Sequence, residues 1–278
     1  SCCIIAKNET DNLRQAILSV RQHVQELVVV DTGDGIVSDI AKQFEAITTK
    51  FQWCDDFSAA RNVSISLATK KWILILDADE IVPKNAFTNI RQHIDNEHVN
   101  AYKVITKNYT KDATCANWFP LKPEDAEAHD LGYSGWLPSY KIRLFRNGLG
   151  FKFEGRIHEM VRTENQWANF YIYHLKELTK NSDEWKKKKK YYLTLGQIKL
   201  SENPRCPQAN FELGLQFSEL GMHEQARICF NSVLELDQNF GDQFYGNVDF
   251  ELGNIFWTTY KNSDKAIEHF LTSIKRTP

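Results

Sequence analysis

A chain of 278 residues with 42% hydrophobic and 25% charged residues has the make-up of an ordinary globular protein of one large or two ordinary domains. Its formal net charge of -2 argues against a general nucleic-acid or anionic-membrane binder, and no stretch approaches the ~20 consecutive apolar residues of a membrane-spanning helix. The six cysteines (Cys2, Cys3, Cys54, Cys115, Cys206, Cys229) contain no CxxC pair, so buried free thiols in a reducing cytoplasm are expected rather than a disulfide framework.

Up to about residue 105 the chain alternates short apolar runs with helical spacing. "CCIIA" (2–6) reads as a strand, and residues 10–23 carry Leu13, Ile17, Leu18 and Val20 at helical spacing. "ELVVVD" (26–31) is a second strand, followed by helical patterns at 37–44 and 57–69. "WILILD" (72–77) is a continuous apolar run of the kind buried on both faces of a parallel sheet. Pro83 suits the first turn of a further helix. Alternating strands and helices predict βαβ units and a mainly parallel sheet. Ligands bind beyond the carboxyl ends of such strands, so Asp31 and Asp77, each ending a strand, share one rim.

The stretch from about 106 to 140 is expected to be irregular. Its aromatic residues Trp118, Phe119, Tyr133, Trp136 and Tyr140 could form a sugar or peptide platform or the core of a lid. "YKIRLFRN" (140–147) and "FKFEGRIHEMV" (151–161) read as strands around a turn at Asn147-Gly148.

Beyond about residue 175 the pattern is helical throughout. The lysine run 186–190 reads as a solvated face, because Trp185, Tyr192, Leu193 and Leu195 flank it. Leu213-Gly214, Phe217, Ala226 and Phe230 recur as Leu252-Gly253, Phe256, Ala266 and Phe270, an internal repeat of tetratricopeptide type. Gln238 and Pro278 fall where such repeats commonly end in proline. An independent stack needs about three copies, so the two visible ones are expected to pack on the preceding helix or to continue past Pro278.

Asp77, Ala78, Asp79 and Glu80 place three carboxylates within four positions at the end of a dry strand. Like charges this close repel. A divalent cation, Mn2+ or Mg2+, removes the repulsion, and one held by only one or two carboxylates completes its shell with water and substrate phosphates. The Asp-x-Asp (DXD) pattern therefore points to a metal bridging protein and diphosphate; the plain alternative is an acidic loop capping the next helix.

"CIIAKNETDNLRQAILSV", "ELVVVDTGD", "WCDDFSAARNVSISLATKKWILILDADE", "RLFRN" and "FEGRIHE" occur in the order found in the family 2 glycosyltransferases, which this chain resembles. The resemblance implies a GT-A (Rossmann-like) catalytic domain over 1–178, followed by an all-α tetratricopeptide-type domain over 179–278. It is closest to a bacterial subgroup with such repeats, some of whose members glycosylate peptides or proteins. The loop "DTGDGIVSD" is shorter than the family pattern, which leaves Asp34 without an assigned role.

Carried onto this sequence, the resemblance implies an inverting hexosyltransferase using a nucleotide sugar, with a UDP-sugar as the donor. Asp31 would meet the base or ribose, with Glu9 on the same rim; Arg61 would lie by the diphosphate. Asp77 and Asp79 form the metal pair, Asp77 reaching the ribose or a metal-bound water, and His174 is the further ligand, with His158 competing. Glu159 is the base that deprotonates the acceptor, with His158 and Glu154 as alternatives. The acceptor is a peptide, protein or glycan, and the repeats could support a homo-oligomer. Two other readings remain open: a nucleotide-binding adaptor without turnover, and a transferase acting on a cell-surface glycan or lipid.

Overall fold

The computed structural model describes residues 1–115, 117–123, 125–175, 182–236 and 240–277. The chain divides into two compact units, Ser1–Leu178 and Thr179–Pro278. Gln238, Pro278 and the residues around position 178 lie outside the described residues.

The first unit begins β1 (Cys2–Ala6), α1 (Thr10–Val20), β2 (Leu27–Asp31), α2 (Ile36–Lys42), β3 (Ile47–Lys50), α3 (Phe57–Leu67) and β4 (Trp72–Asp77). It continues with β5 (Glu80–Ile81), α4 (Ala86–Asp95), β6 (Ala101–Thr110), β7 (Phe119–Pro120), α5 (Ala126–Asp130) and β8 (Gly135–Arg146). β9 (Phe153–Glu154), β10 (Met160–Val161) and β11 (Gln166–His174) complete it. Nine strands form one mixed, mainly parallel sheet in the order β3-β2-β1-β4-β8-β6-β11-β5, with β7 beside β8. Only β8 and β5 run against the rest of that sheet. β9 and β10 pair separately.

Side-chain alternation builds a core on each face of this sheet. Cys2, Ile4, Val29, Leu74 and Leu76 join Leu13, Ile17, Val37, Phe87 and Ile90 of the helices α1, α2 and α4. Cys3, Val28, Ile73 and Ile75 pack instead with Ala68, Phe153 and Val161. Burying each such aliphatic side chain stabilises the fold by about 1.5–3 kcal/mol. The register aligns Ala6 with Asp31 and Ile5 with Asp77, so the two aspartates end the strands on either side of β1, on one rim.

Several elements differ from the sequence-based expectation. β3 and β6 are additional strands, and the irregular stretch shrinks to 111–134. β6 escapes pattern reading because Lys103, Lys107, Asn108 and Thr110 interrupt its apolar positions; Lys107 is nevertheless buried, with its ammonium 2.6 Å from Asp125. "FKFEGRIHEMV" is not a continuous strand: between β9 and β10 the chain turns, with Gly155 at φ 100° and His158 at φ 52°. α4 starts at Ala86, and the Pro83 carbonyl accepts the Ala86 N–H before its first turn. Of the cysteines only Cys2, Cys3 and Cys229 are buried; Cys54 is exposed.

The second unit contains α6 (Asp183–Glu202), α7 (Pro207–Glu219), α8 (His223–Glu235), α9 (Asp242–Thr258) and α10 (Ser263–Arg276). The Ser182 hydroxyl caps α6 by accepting the Trp185 N–H at 3.1 Å. The repeat is physical as well as textual. A Cβ at Gly214 would stand 2.5 Å from the Phe230 ring, and one at Gly253 would stand 2.6 Å from Phe270. Each glycine lets the second helix of its pair approach through the same phenylalanine. α6 packs on α7, where Lys199 reaches Glu212 at 2.7 Å. The lysine run lies on the outside of α6.

Candidate active site

"FSAARN" opens α3 with Asp56 as its cap: the carboxylate accepts the Ala59 N–H at 3.0 Å and the Ser58 hydroxyl at 2.7 Å. This fixes the first turn and sends Arg61 toward the rim. The next residue, Asn62, clamps β9 from both sides, donating to the Phe153 carbonyl at 2.9 Å and accepting its N–H at 2.8 Å. The Phe57 N–H reaches the Arg156 carbonyl at 2.9 Å. The "FEGRIHE" loop is thereby docked against the start of α3, which brings Glu159 to Arg61.

Arg61 is buried and donates from Nε to Glu159 Oε1 at 2.6 Å and from Nη2 to Asp77 Oδ1. Its guanidinium also lies 5.4 Å over the Phe153 ring. Asp77 Oδ2 accepts from Arg143 Nη2 at 2.9 Å, and Lys141 Nζ stands 3.7 Å away. The same Arg143 Nη2 donates to Glu80 Oε1 at 2.5 Å, while Glu80 Oε2 accepts the Asp77 N–H at 2.9 Å. Repulsion at "DADE" is thus already relieved at Asp77 and Glu80 by two buried arginines.

Burial opposes ionisation of Asp77, but Arg143 and then Arg61 outweigh it and hold the carboxyl well below its ordinary range. Burial likewise opposes ionisation of Glu159, and Arg61 overcomes it, so this carboxyl also sits below its ordinary value. Glu80 goes the other way: burial raises it despite Arg143. Arg61 would be lowered by burial, yet Asp77 and Glu159 keep it above its ordinary value.

Asp79 and His174 meet on the same rim, although they are far apart in the chain. β5 pairs with the end of β11, with Glu80 opposite His174. That register sets His174 Nε2 3.2 Å from Asp79 Oδ2. Burial pushes the imidazole down, but Asp79 more than compensates and its pKa lies above the usual value. A carboxylate and an imidazole side by side suit a borderline divalent cation. Among the described residues no group of three or more His, Cys, Asp or Glu side chains is arranged to hold a metal. A cation on Asp79 and His174 would therefore draw its remaining ligands from water and substrate oxygens, which fits the sparse protein coordination of diphosphate-bridging sites.

The other candidates lie around this centre. Asp31 is fully buried, and its oxygens accept the N–H groups of Gly33 at 2.8 Å and Ser38 at 3.0 Å, so its carboxylate shapes the β2–α2 loop. That loop borders a hollow of about 490 Å³ lined by Asp34, Gly35, Ile36, Ser38, Asp39, Lys42 and Lys50. Glu9 precedes α1 and accepts from Asn12 at 2.7 Å. His158 is exposed on the loop, and Glu154 pairs with Arg162 at 3.4 Å. Of the aromatic stretch, Trp136 is buried and stacked on Phe119 with ring centres 4.8 Å apart, whereas Tyr140 is exposed. Arg143 and Glu80 escaped the sequence-based selection. Their signal was available: Lys141 and Arg143 alternate within an otherwise apolar strand, and a charge there needs a buried partner.

Residues 1–149 match Glycosyl transferase family 2. The chain belongs to glycosyltransferase family 2. A TPR repeat-containing protein of Synechococcus elongatus is 35% identical over 162 residues, covering 58% of this chain and 35% of that protein. The SPbeta prophage-derived glycosyltransferase SunS of Bacillus subtilis is 25% identical over 252 residues, covering 87% of this chain and 55% of SunS. This chain thus spans about a third (35%) and about half (55%) of the lengths of these two relatives. Among solved structures, S. aureus TarS 1–349 in complex with UDP gives a TM-score of 0.45 at 12% identity, covering 99% of this chain and 90% of that one. MamA gives a TM-score of 0.28 at 17% identity, covering 32% of this chain and 48% of its own.

Proposed function

We propose that this family 2 chain is an inverting, metal-dependent glycosyltransferase whose catalytic domain is residues 1–178. It moves a sugar from a nucleotide-sugar donor, a UDP-sugar, to a peptide or protein acceptor. The observation that carries this reading is the convergence of Arg61, Asp77 and Glu159 beside the Asp79–His174 pair at the carboxyl rim of the sheet. Positive and negative groups are held there in fixed positions, as a reaction that builds charge on a leaving diphosphate requires.

Asp79 and His174 are the protein ligands assigned to Mn2+ or Mg2+. A cation held there would supply charge neutralisation for the leaving diphosphate. Asp77, anchored by Arg61 and Arg143, faces the ribose side. Asp31 and Glu9 arrange the loops that receive the nucleoside, beside the hollow that ends at Lys50. Arg61 is shared between Asp77 and Glu159, so a diphosphate arriving at its guanidinium competes with both carboxylates for the same donors. Glu159, kept ionised by Arg61, accepts the acceptor's proton as that group attacks the anomeric carbon. The helical repeats, residues 179–278, bind the acceptor.

The test is incubation with UDP-glucose, UDP-N-acetylglucosamine and UDP-galactose in the presence of Mn2+, with and without candidate acceptor peptides. Release of UDP and a mass increase of one hexosyl unit on the peptide support the reading. Tight UDP binding with no turnover of any donor would leave the adaptor in its place.

A further inference from the structure

β5 is only two residues long and lies at the edge of the sheet, where its pairing with β11 rests on Glu80 and Ile81. Two residues of ladder hold an edge strand weakly. Yet this strand carries Asp79 into contact with His174, because Glu80 is the residue that faces His174 in the ladder. Something else must secure the turn.

We propose that Arg143 is the positioning residue that sets Asp79 against His174. It is almost fully buried on β8, and its hydrogen bonds run to Asp77 and Glu80. Its Nη2 ties Asp77 Oδ2 at 2.9 Å to Glu80 Oε1 at 2.5 Å, the first and last residues of the four-residue turn. Glu80 Oε2 closes the turn on itself by taking the Asp77 N–H at 2.9 Å, and the Thr106 hydroxyl adds a contact to Oε1 at 3.5 Å. Both ends of Asp77-Ala78-Asp79-Glu80 are therefore pinned to one guanidinium on a long interior strand. Asp79 has only one residue between it and Asp77, and its neighbour Glu80 is held directly. Both carboxylates meet the same nitrogen, so a lysine ammonium would keep the charge but, on a shorter and more flexible stem, hold the link less firmly. Removing the guanidinium leaves Glu80 buried without its ion-pair partner and Asp77 with only Arg61 and Lys141, so the two ends of the turn lose their common anchor.

The functional consequence rests on the metal reading above, but the positioning itself does not. Both are tested by the side-chain 1H–15N signals of the His174 ring at fixed pH. Without metal, Arg143→Met should move the His174 signal in the same direction as Asp79→Asn, and Arg143→Lys should fall between wild type and Arg143→Met. Lys141→Met, which removes a nearby positive charge but neither hydrogen bond of the link, should move the signal less than Arg143→Met does. With Mn2+ and UDP, Arg143→Met should weaken metal binding roughly 10–100-fold, the cost usual for a group that orients metal ligands. A folded Arg143→Met protein with an unmoved metal-free His174 signal overturns the proposal. If that variant does not fold, Arg143→Lys decides in its place: a His174 signal moved toward that of Asp79→Asn supports the proposal and an unmoved one overturns it. Failure of Mn2+ and UDP to broaden the wild-type His174 signal would defeat the metal reading alone, because the metal-free comparison still tests Arg143.

Discussion

Two clusters of buried ions lie in the same sheet and are built in opposite ways. At one, Lys107 Nζ stands 2.6 Å from Asp125 Oδ1, enclosed by Trp136, Tyr171 and Tyr173 with ring centres 4.8–5.5 Å away. Tyr109 donates to the same carboxylate oxygen at 2.7 Å, and the Lys122 N–H reaches the other at 3.0 Å. One cation meets one anion, and aromatic faces close the site. At the other, Arg61 and Arg143 are divided among Asp77, Glu80 and Glu159, and Asp77 keeps a face open to the rim. A closed, charge-matched pair fastens the irregular 111–134 segment to β6. The second cluster sets Arg61, Arg143 and Lys141 against three carboxylates, and it is its open face, not an excess of one charge, that leaves groups within reach of a ligand. The contrast separates ions that hold the fold from ions available for chemistry.

Breaking the closed pair should give the largest effect on stability. Lys107→Met leaves Asp125 buried without its cation, and unfolding by urea should show a loss of about 3–5 kcal/mol. UDP affinity of the folded fraction should stay at the wild-type level. A large loss of nucleotide affinity would show that the two clusters are not separable.

Glu159→Gln acts in the reverse sense. Transfer should fall by about 10²-fold, within the usual contribution of a general base, while Mn2+ affinity measured by calorimetry changes little and UDP affinity does not fall. An unchanged rate would return the base to His158 or Glu154. A lost UDP affinity would mark Glu159 as a group that only positions Arg61.

A smaller, pH-dependent effect sharpens the contrast. Burial would raise the Asp125 carboxyl, but Lys107, the Lys122 N–H and Tyr109 hold it below its ordinary value. A carboxyl depressed in the folded state contributes stability above its unfolded pKa of about 3.9, lost as pH falls through the folded value. The melting temperature should therefore fall below about pH 4, and less steeply in Asp125→Asn than in wild type. Parallel profiles would remove Asp125 from the acid response.

The parts of the site that could be read in advance were those written in local pattern. Continuous apolar runs ended by Asp31 and Asp77 located the rim, because each carboxylate is the first polar side chain after an unbroken apolar run. His174 was reachable as the end of an apolar segment. Its contact with Asp79, 95 residues earlier, depends on β5 pairing with β11, which no local period encodes. β6 was hidden for a related reason: Lys107 reads as solvent-facing until its partner Asp125, 18 residues on, is seen. "FEGRIHE" looked like a strand from its alternation, but Gly155 turns the chain, and docking on α3 delivers Glu159 to Arg61 instead. "RLFRN" was legible as a block, yet Arg143 shows its role only through Asp77 and Glu80. The repeats were legible because one close packing contact recurs: Gly214 with Phe230, then Gly253 with Phe270.

The account stands most directly on whether the rim binds a nucleoside diphosphate through a metal held by Asp79. Calorimetric titration of UDP into wild type and Asp79→Ala, each with and without Mn2+, measures this. Wild type should bind UDP more tightly with Mn2+ than without it, and Asp79→Ala should lose that dependence while keeping its melting temperature. Equal Mn2+ dependence in the two proteins would contradict the assignment of Asp79 to the metal and, with it, the proposed mechanism.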